Sequence, residues 1–250
     1  MVATAGNWEK FSEDWEELLP WGAIDANGER HFKMSEMTSP GGIERMQPFW
    51  RAIEEHIDAA VSFRFRISDL HNAMDDVLVG GWERPNFAES DWGNPYFFAC
   101  RNLLNGAYIH AKNMPLVFPP NQPISFIFDE RTDKKIVLDA WDFMRKETQL
   151  GDDGLIAADP RFENDRLFLP LQAADLWTWW VRRWTEKNLD LRNVPFPHRS
   201  EGFFLDSYDS FPSRKDIAEF FAGTVQEIVE KNGRNSMVFI RRSGRIVPFQ

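Results

Sequence analysis

Pro170-Leu171-Gln172-Ala173-Ala174-Asp175-Leu176 opens the most informative helix of this chain. A proline suits a first helical turn, where its missing N–H costs nothing, and the apolar spacing carries the helix to about Lys187. Leu171, Ala174, Thr178 and Val181, with Leu176 and Trp180 one position off, give broad apolar coverage. Gln172 and Asp175 stand at i and i+3 and so share one side of the first turns. An acid there gains from the helix dipole, which is reason enough for a surface carboxylate. Yet Asp175 sits among Ala173, Ala174, Leu176 and Trp177, where a charge is costly unless paired or bound to a metal. The small alanines let the helix approach another element closely. Asp175 is therefore the first candidate site residue, and Gln172 a candidate for binding substrate beside it.

Working outward, Pro123-Ile124-Ser125-Phe126-Ile127-Phe128-Asp129-Glu130 is apolar on both faces and ends in acid, as a central strand of an α/β sheet would. Ligands of such sheets bind at the carboxyl ends of the strands. Successive strand side chains point to opposite faces, so one of Asp129 and Glu130 faces a given site. Asp129 shares its face with Ser125 and Ile127 and is preferred; Glu130 is its neighbour. The plainer reading is a solvated strand end running into Arg131 and Asp133. Helices alternate with these extended pieces: Asn7 to about Leu19, Pro48 to about Ala60, Asn94 toward Lys112, Lys134 to Thr148 and Arg214 to Lys231. Further strands are expected at Val61 to Ile67, around Arg161-Phe162 and at Met237 to Arg241, with short extended pieces at Val2 to Ala5 and His31 to Met34. Residues 196–212 read as irregular. The pattern is that of an α/β layered fold.

Composition bounds the function. Hydrophobic residues are 43% of 250, enough for a sizeable core, and 11 Trp with 22 Phe make that core aromatic. The 39 acids exceed the 29 Lys and Arg, a formal net charge of -10, which excludes global attraction to a polyphosphate. It leaves room for a nuclease, whose site needs clustered carboxylates and a local basic rim. Arg182 and Arg183, two turns past Asp175, are candidate phosphate contacts, although such arginines more often lie on a solvated face. The lone Cys100 excludes an internal disulfide, and the five histidines show no metal-ligand spacing. No stretch approaches the roughly 18 apolar residues of a membrane span, and no signal peptide is evident, so the expected compartment is the cytoplasm and no membrane partner is expected.

Three further pieces carry a resemblance. Trp8-Glu9-Lys10-Phe11 to Trp15, then His31-Phe32-Lys33-Met34-Ser35-Glu36-Met37, resembles the tryptophan-led helix and F-H-M-T-E-F strand of the domain of unknown function 3800 family. Ile127-Phe128-Asp129-Glu130 is similar to that family's second acidic motif. Pro170 to Leu176, followed by Arg182-Arg183, is similar to its final L-Q-x-A-D helix. The match in order and spacing runs from Trp8 to Trp184. It implies one ribonuclease-H-like domain over 1–250, a mixed sheet flanked by helices with aromatic-rich insertions and an irregular segment near 190–212. It also implies a Mg2+ or Mn2+ site on Asp129 and Asp175, with Glu130 beside them, acting on nucleic acid. Two carboxylates from separate elements suit such an ion, which takes its other oxygens from water and phosphate and activates the attacking water.

The departures are as plain. The family's opening D-E-S-G strand, source of its first acid, has no counterpart from Met1 to Trp8. Either that strand precedes this stretch or the chain lacks the acid and acts as a binding or regulatory protein. Lys33 stands where the family often has His and is a candidate substrate contact; Glu36 reads as a surface carboxylate or a supporting acid.

Overall fold

The structure, a computed structural model, describes residues 1–24, 27–38, 41–80, 83–87, 91–113, 115, 123–130, 132–147, 156, 158–187, 206–232 and 236–249. The chain is a mixed α/β protein with two compact units. Unit 1 comprises residues 1–62 and 103–209, and unit 2 residues 63–102 and 210–250. Among the described residues the strands form four small sheets of two or three strands each. No helix among them is long and apolar enough to cross a membrane.

In unit 1, α1 (Ala5–Leu18) carries Phe11 and Trp15 fully buried. Its cap is Thr4, whose hydroxyl accepts from the Asn7 N–H. Asn7 was the expected cap; its side-chain amide instead donates to Asp58 at 3.1 Å. A two-stranded hairpin, β1 (Ala23–Ile24) and β2 (Arg30–His31), follows. Gly22 lies so close to the hairpin that a Cβ there would overlap the His31 carbonyl, which demands glycine. One short turn, α2 (Met34–Met37), and a longer helix, α3 (Met46–His56), lead to β3 (Ala59–Phe63).

Unit 2 begins at Phe63. The strand read through Ile67 stops early, because Leu70, Ala73 and Val77 recur at helical spacing and are fully buried. They belong to α4 (Ile67–Asp76) and its following strand β4 (Val77–Val79). Helix α5 (Pro95–Asn113) spans the division at Asn102/Leu103.

Back in unit 1, β5 (Ile127–Asp129) and β6 (Arg161–Glu163) pair in parallel, Asp129 opposite Glu163, with α6 (Lys134–Glu147) between them in sequence. Helix α7 (Leu169–Glu186) then packs on α1 and α2. Strand β7 (Asp206–Ser210) pairs with β3. It lies inside the stretch expected to be irregular; residues 190–205 of that stretch lie outside the described residues. In unit 2, α8 (Arg214–Lys231) starts on a capping box made by Ser213 and Asp216. It packs on α4, and β8 (Val238–Arg242) joins β4 to β9 (Arg245–Pro248) in an antiparallel sheet.

Each unit has its own aromatic core. Unit 1 gathers Phe11, Trp15, Phe32, Phe49 and Trp50 with Trp177, Trp180 and Trp184. Trp15, Phe32 and Phe49 meet at centroid distances of 4.7 to 5.2 Å, the range of favourable edge-on and tilted rings. Phe87, Phe98 and Phe221 play the same part in unit 2. The abundance of aromatic residues is thus used largely for burial.

Candidate functional site

Phe32 and Lys33 decide where the site begins. Lys33 is extended, with φ -141° and ψ 118°, so neighbouring side chains leave opposite sides of the chain. Phe32 is buried against Trp15 and Phe49, which turns Lys33 away from that core. Its ammonium Nζ lies 2.6 Å from Asp165 Oδ2 and 4.0 Å from Asp175 Oδ2. Burial acts to lower the Lys33 pKa. The hydrogen bond to Asp165 and the charges of Asp175, Asp165 and Asp129 outweigh it, so the ammonium is held above its ordinary value.

The three carboxylates come from three places. Asp129 ends β5; Asp165 sits in the turn after β6; Asp175 lies on α7. Asp165 is 7% exposed. Its turn is closed by Leu167 and Phe168 N–H groups donating to the Asn164 carbonyl, and Asn164 Oδ1 accepts from the Arg166 N–H. Asp175 Oδ2 accepts from the Met34 N–H at 2.9 Å, which ties α7 to the residue following Lys33. Three formal negative charges thus face one positive charge.

Gln172 is 1% exposed and all its bonds stay inside the protein. Its Oε1 accepts from Trp15 Nε1 at 2.8 Å and from the Phe32 N–H at 3.3 Å; its Nε2 donates to the Asp165 carbonyl at 2.8 Å. The side chain is a bracket that fixes α1, the Phe32-Lys33 segment and the Asp165 turn to α7. Glu130 faces elsewhere than Asp129: its Oε1 accepts from Asn164 Nδ2 at 2.6 Å, and its N–H donates to the Glu163 carbonyl, joining the ends of β5 and β6. Arg182 is exposed and paired with Glu186 one turn on, apart from the Lys33 group. Glu36 Oε1 lies 3.3 Å from His31 Nε2.

The structure therefore brings Lys33, Asp175 and, through its charge, Asp129 to one place, with Gln172 supporting it from within. Asp165 was not among the residues singled out from sequence. Its signal was there: β6 runs out through Phe162-Glu163 into Asn164-Asp165, an apolar residue followed by polar and acidic ones, as β5 runs out through Phe128-Asp129 into Glu130. Hard carboxylate oxygens are the donor set that Mg2+ or Mn2+ takes. Among the described residues, the one group of three His, Asp or Glu side chains with ligand atoms all within 4.8 Å of one another is Asp14, Glu55 and His56, on α1 and α3. Asp129, Asp165 and Asp175 are not drawn together that tightly; the Lys33 ammonium lies within 4.0 Å of two of them. Comparison of the chain with family models, with curated proteins and with solved structures finds no match.

Proposed function

We propose that this chain is a phosphodiesterase of ribonuclease-H-like fold that uses Mg2+ or Mn2+ to cleave a nucleic acid, with Asp129, Asp165 and Asp175 as the cation's ligands. One observation carries the reading: carboxylates from β5, from the turn after β6 and from α7 act together on a single cation, the Lys33 ammonium. Asp129 and Asp165 lie at the carboxyl ends of a parallel strand pair, where α/β folds bind ligands. When bound, such an ion supplies a water of lowered pKa and neutralises charge on the phosphate.

The chain's own residues prepare the place. Met34 N–H orients the Asp175 carboxylate, and Gln172 fixes the backbone that presents Asp165. Burial of Asp165 excludes water from one side, which strengthens its attraction for a cation. Glu130, held by Asn164, stiffens the strand end that carries Asp129. Arg182, exposed on α7, is in reach of solvent for a phosphate contact that would exchange its Glu186 partner. The single cysteine, buried on α5, is in keeping with a reducing cytoplasm.

The test is cleavage of single-stranded and duplex DNA and RNA oligonucleotides with Mg2+ or Mn2+. Wild type is expected to cleave at least one of them, and Asp175→Asn and Asp165→Asn to lose that cleavage while keeping the native circular-dichroism spectrum. Absence of cleavage by wild type with either ion overturns the reading. The alternative, a catalytically incomplete homologue that binds or regulates, draws on the Lys33–Asp165 ion pair, in which the protein itself supplies the cation. It predicts metal-independent oligonucleotide or protein binding that survives Asp175→Asn.

A further inference from the structure

We infer that Arg64, Arg66 and Phe211, all in unit 2, form a stacking platform for single-stranded nucleic acid. The inference deepens the nucleic-acid reading given above and rests on it, but on no metal ion. Side-chain alternation decides the arrangement. In Phe63-Arg64-Phe65-Arg66 both phenylalanines turn toward Phe98, at centroid distances of 5.6 and 5.2 Å. Arg64 and Arg66 therefore leave the opposite side of the extended chain. The Arg64 N–H donates to the Ser210 carbonyl at 2.8 Å, which sets the next residue, Phe211, beside them. Both guanidinium carbons lie over the Phe211 ring, 4.8 Å from its centroid for Arg64 and 5.8 Å for Arg66, within reach of cation–π attraction.

The surface so made is positive, planar and apolar at once. Phe211 is 42% exposed, and Ile67, the residue after Arg66, is 56% exposed. Among the described residues no carboxylate pairs with the Arg66 guanidinium. The neighbouring acid on β7, Asp209, accepts from the Ser62 hydroxyl at 2.9 Å. Unpaired bases stack on aromatic rings and on guanidinium planes, while the outward N–H groups of arginine meet the phosphates between them. Bases in a duplex are already stacked on one another and offer no free face. An acidic peptide would satisfy the charge and leave the ring without a use. The formal net charge of -10 gives the chain no long-range pull on a polyanion, so binding depends on this local contact.

The experiment is fluorescence anisotropy of labelled single-stranded DNA, single-stranded RNA and duplex DNA with the whole chain in EDTA, over a series of salt concentrations. Wild type is expected to bind at least one single strand more tightly than the duplex. Phe211→Leu keeps the apolar bulk and removes the plane; it is expected to weaken that binding about ten-fold, and Phe211→Trp to hold or tighten it. Arg66→Gln is expected to weaken it and to lower the slope of log affinity against log salt by about 0.7, the share of one phosphate contact. Circular dichroism checks that each variant keeps the native fold. Duplex bound as tightly as the single strands, or equal affinity in wild type, Phe211→Leu and Arg66→Gln, overturns the platform. A polyglutamate peptide that binds as tightly as the oligonucleotides, and is indifferent to Phe211→Leu, also overturns it and marks a site for acidic protein. Wild type that binds no oligonucleotide in EDTA yet cleaves one with Mg2+ or Mn2+ overturns the platform and leaves the proposed reaction standing. Neither binding nor cleavage overturns both.

Discussion

Replacing Gln172 by Leu removes a bracket of three hydrogen bonds and puts a side chain of similar size in its place. The groups left behind are Trp15 Nε1, the Phe32 N–H and the Asp165 carbonyl, with Trp15 fully buried and Phe32 1% exposed. A buried polar group stripped of its partner costs about 1–3 kcal/mol. Two of the lost bonds are short, at 2.8 Å, and the third is long at 3.3 Å. Counting the short pair near the middle of that range and the long one at its foot gives roughly 5 kcal/mol. That is a large part of the 5–15 kcal/mol total stability usual for a folded domain. Urea denaturation followed by tryptophan fluorescence measures the loss, and the midpoint should fall with little change of slope. Glutamine as a substrate contact would give a different result: stability within about 0.5 kcal/mol of wild type, as for surface changes, and an effect confined to ligand binding. A loss under about 1 kcal/mol refutes the bracket.

Three other outcomes follow from the same kind of accounting. Lys33 has its pKa raised by Asp165, Asp175 and Asp129 against its burial, so its ion pairing stabilises the fold fully below the ordinary value of 10.5 and is lost as pH rises through the folded-state value. Denaturation of wild type and Lys33→Met should differ by a constant amount below pH 10.5 and converge only as the pH rises beyond it, through the raised folded-state value. The Cys100 thiol, pushed up to about 12 by burial, is expected to resist iodoacetamide at pH 8 in the native protein and to react after unfolding; rapid native labelling would contradict this. Arg214 donates to both oxygens of the buried Asp76, at 2.7 and 2.8 Å. Arg214→Ala is expected to cost roughly 3 kcal/mol, at the lower end for a broken buried pair because the arginine is half exposed, with Arg214→Ala/Asp76→Asn recovering part of the loss in chemical denaturation.

Helix signals were readable wherever local sequence decides them. Arg214 to Lys231 was read with its observed ends, because Ser213 and Asp216 form a cap that depends on residues three apart. Leu169–Glu186 and Lys134–Glu147 came within a residue of their expected limits. Strands fared less well. The apolar run from Pro123 forms a ladder only over Ile127–Asp129, since a ladder needs a partner and β6 is three residues long. The alternation at Val61 to Ile67 hid the start of α4, whose buried positions reach on to Val77. The site was legible in the same uneven way. Asp175 stood out as a charge among alanines and leucine, and strand alternation separated Asp129 from Glu130. The pairing of Asp165 with Lys33 and the hydrogen-bonding of Gln172 were not, because they arise from contacts 132 and 157 residues apart.

The interleaving of the two units has a consequence for how the chain is made and cut. Residues 63–102 emerge early in synthesis, but the helix and strand that cover them, α8 and β8, come more than a hundred residues later. Until then Leu70, Val77 and Phe98 lack the Ile217, Phe221 and Val238 that bury them. A nascent chain carries this apolar surface open while all of Lys33, Asp129, Asp165 and Asp175 has already left the ribosome, which makes it a natural client for holding chaperones. A fragment ending at Asp209 would keep every residue of the candidate site and still be prone to aggregate. Separating the units would take two new connections, one from Ser62 to Leu103 and one from Asn102 to Ser210.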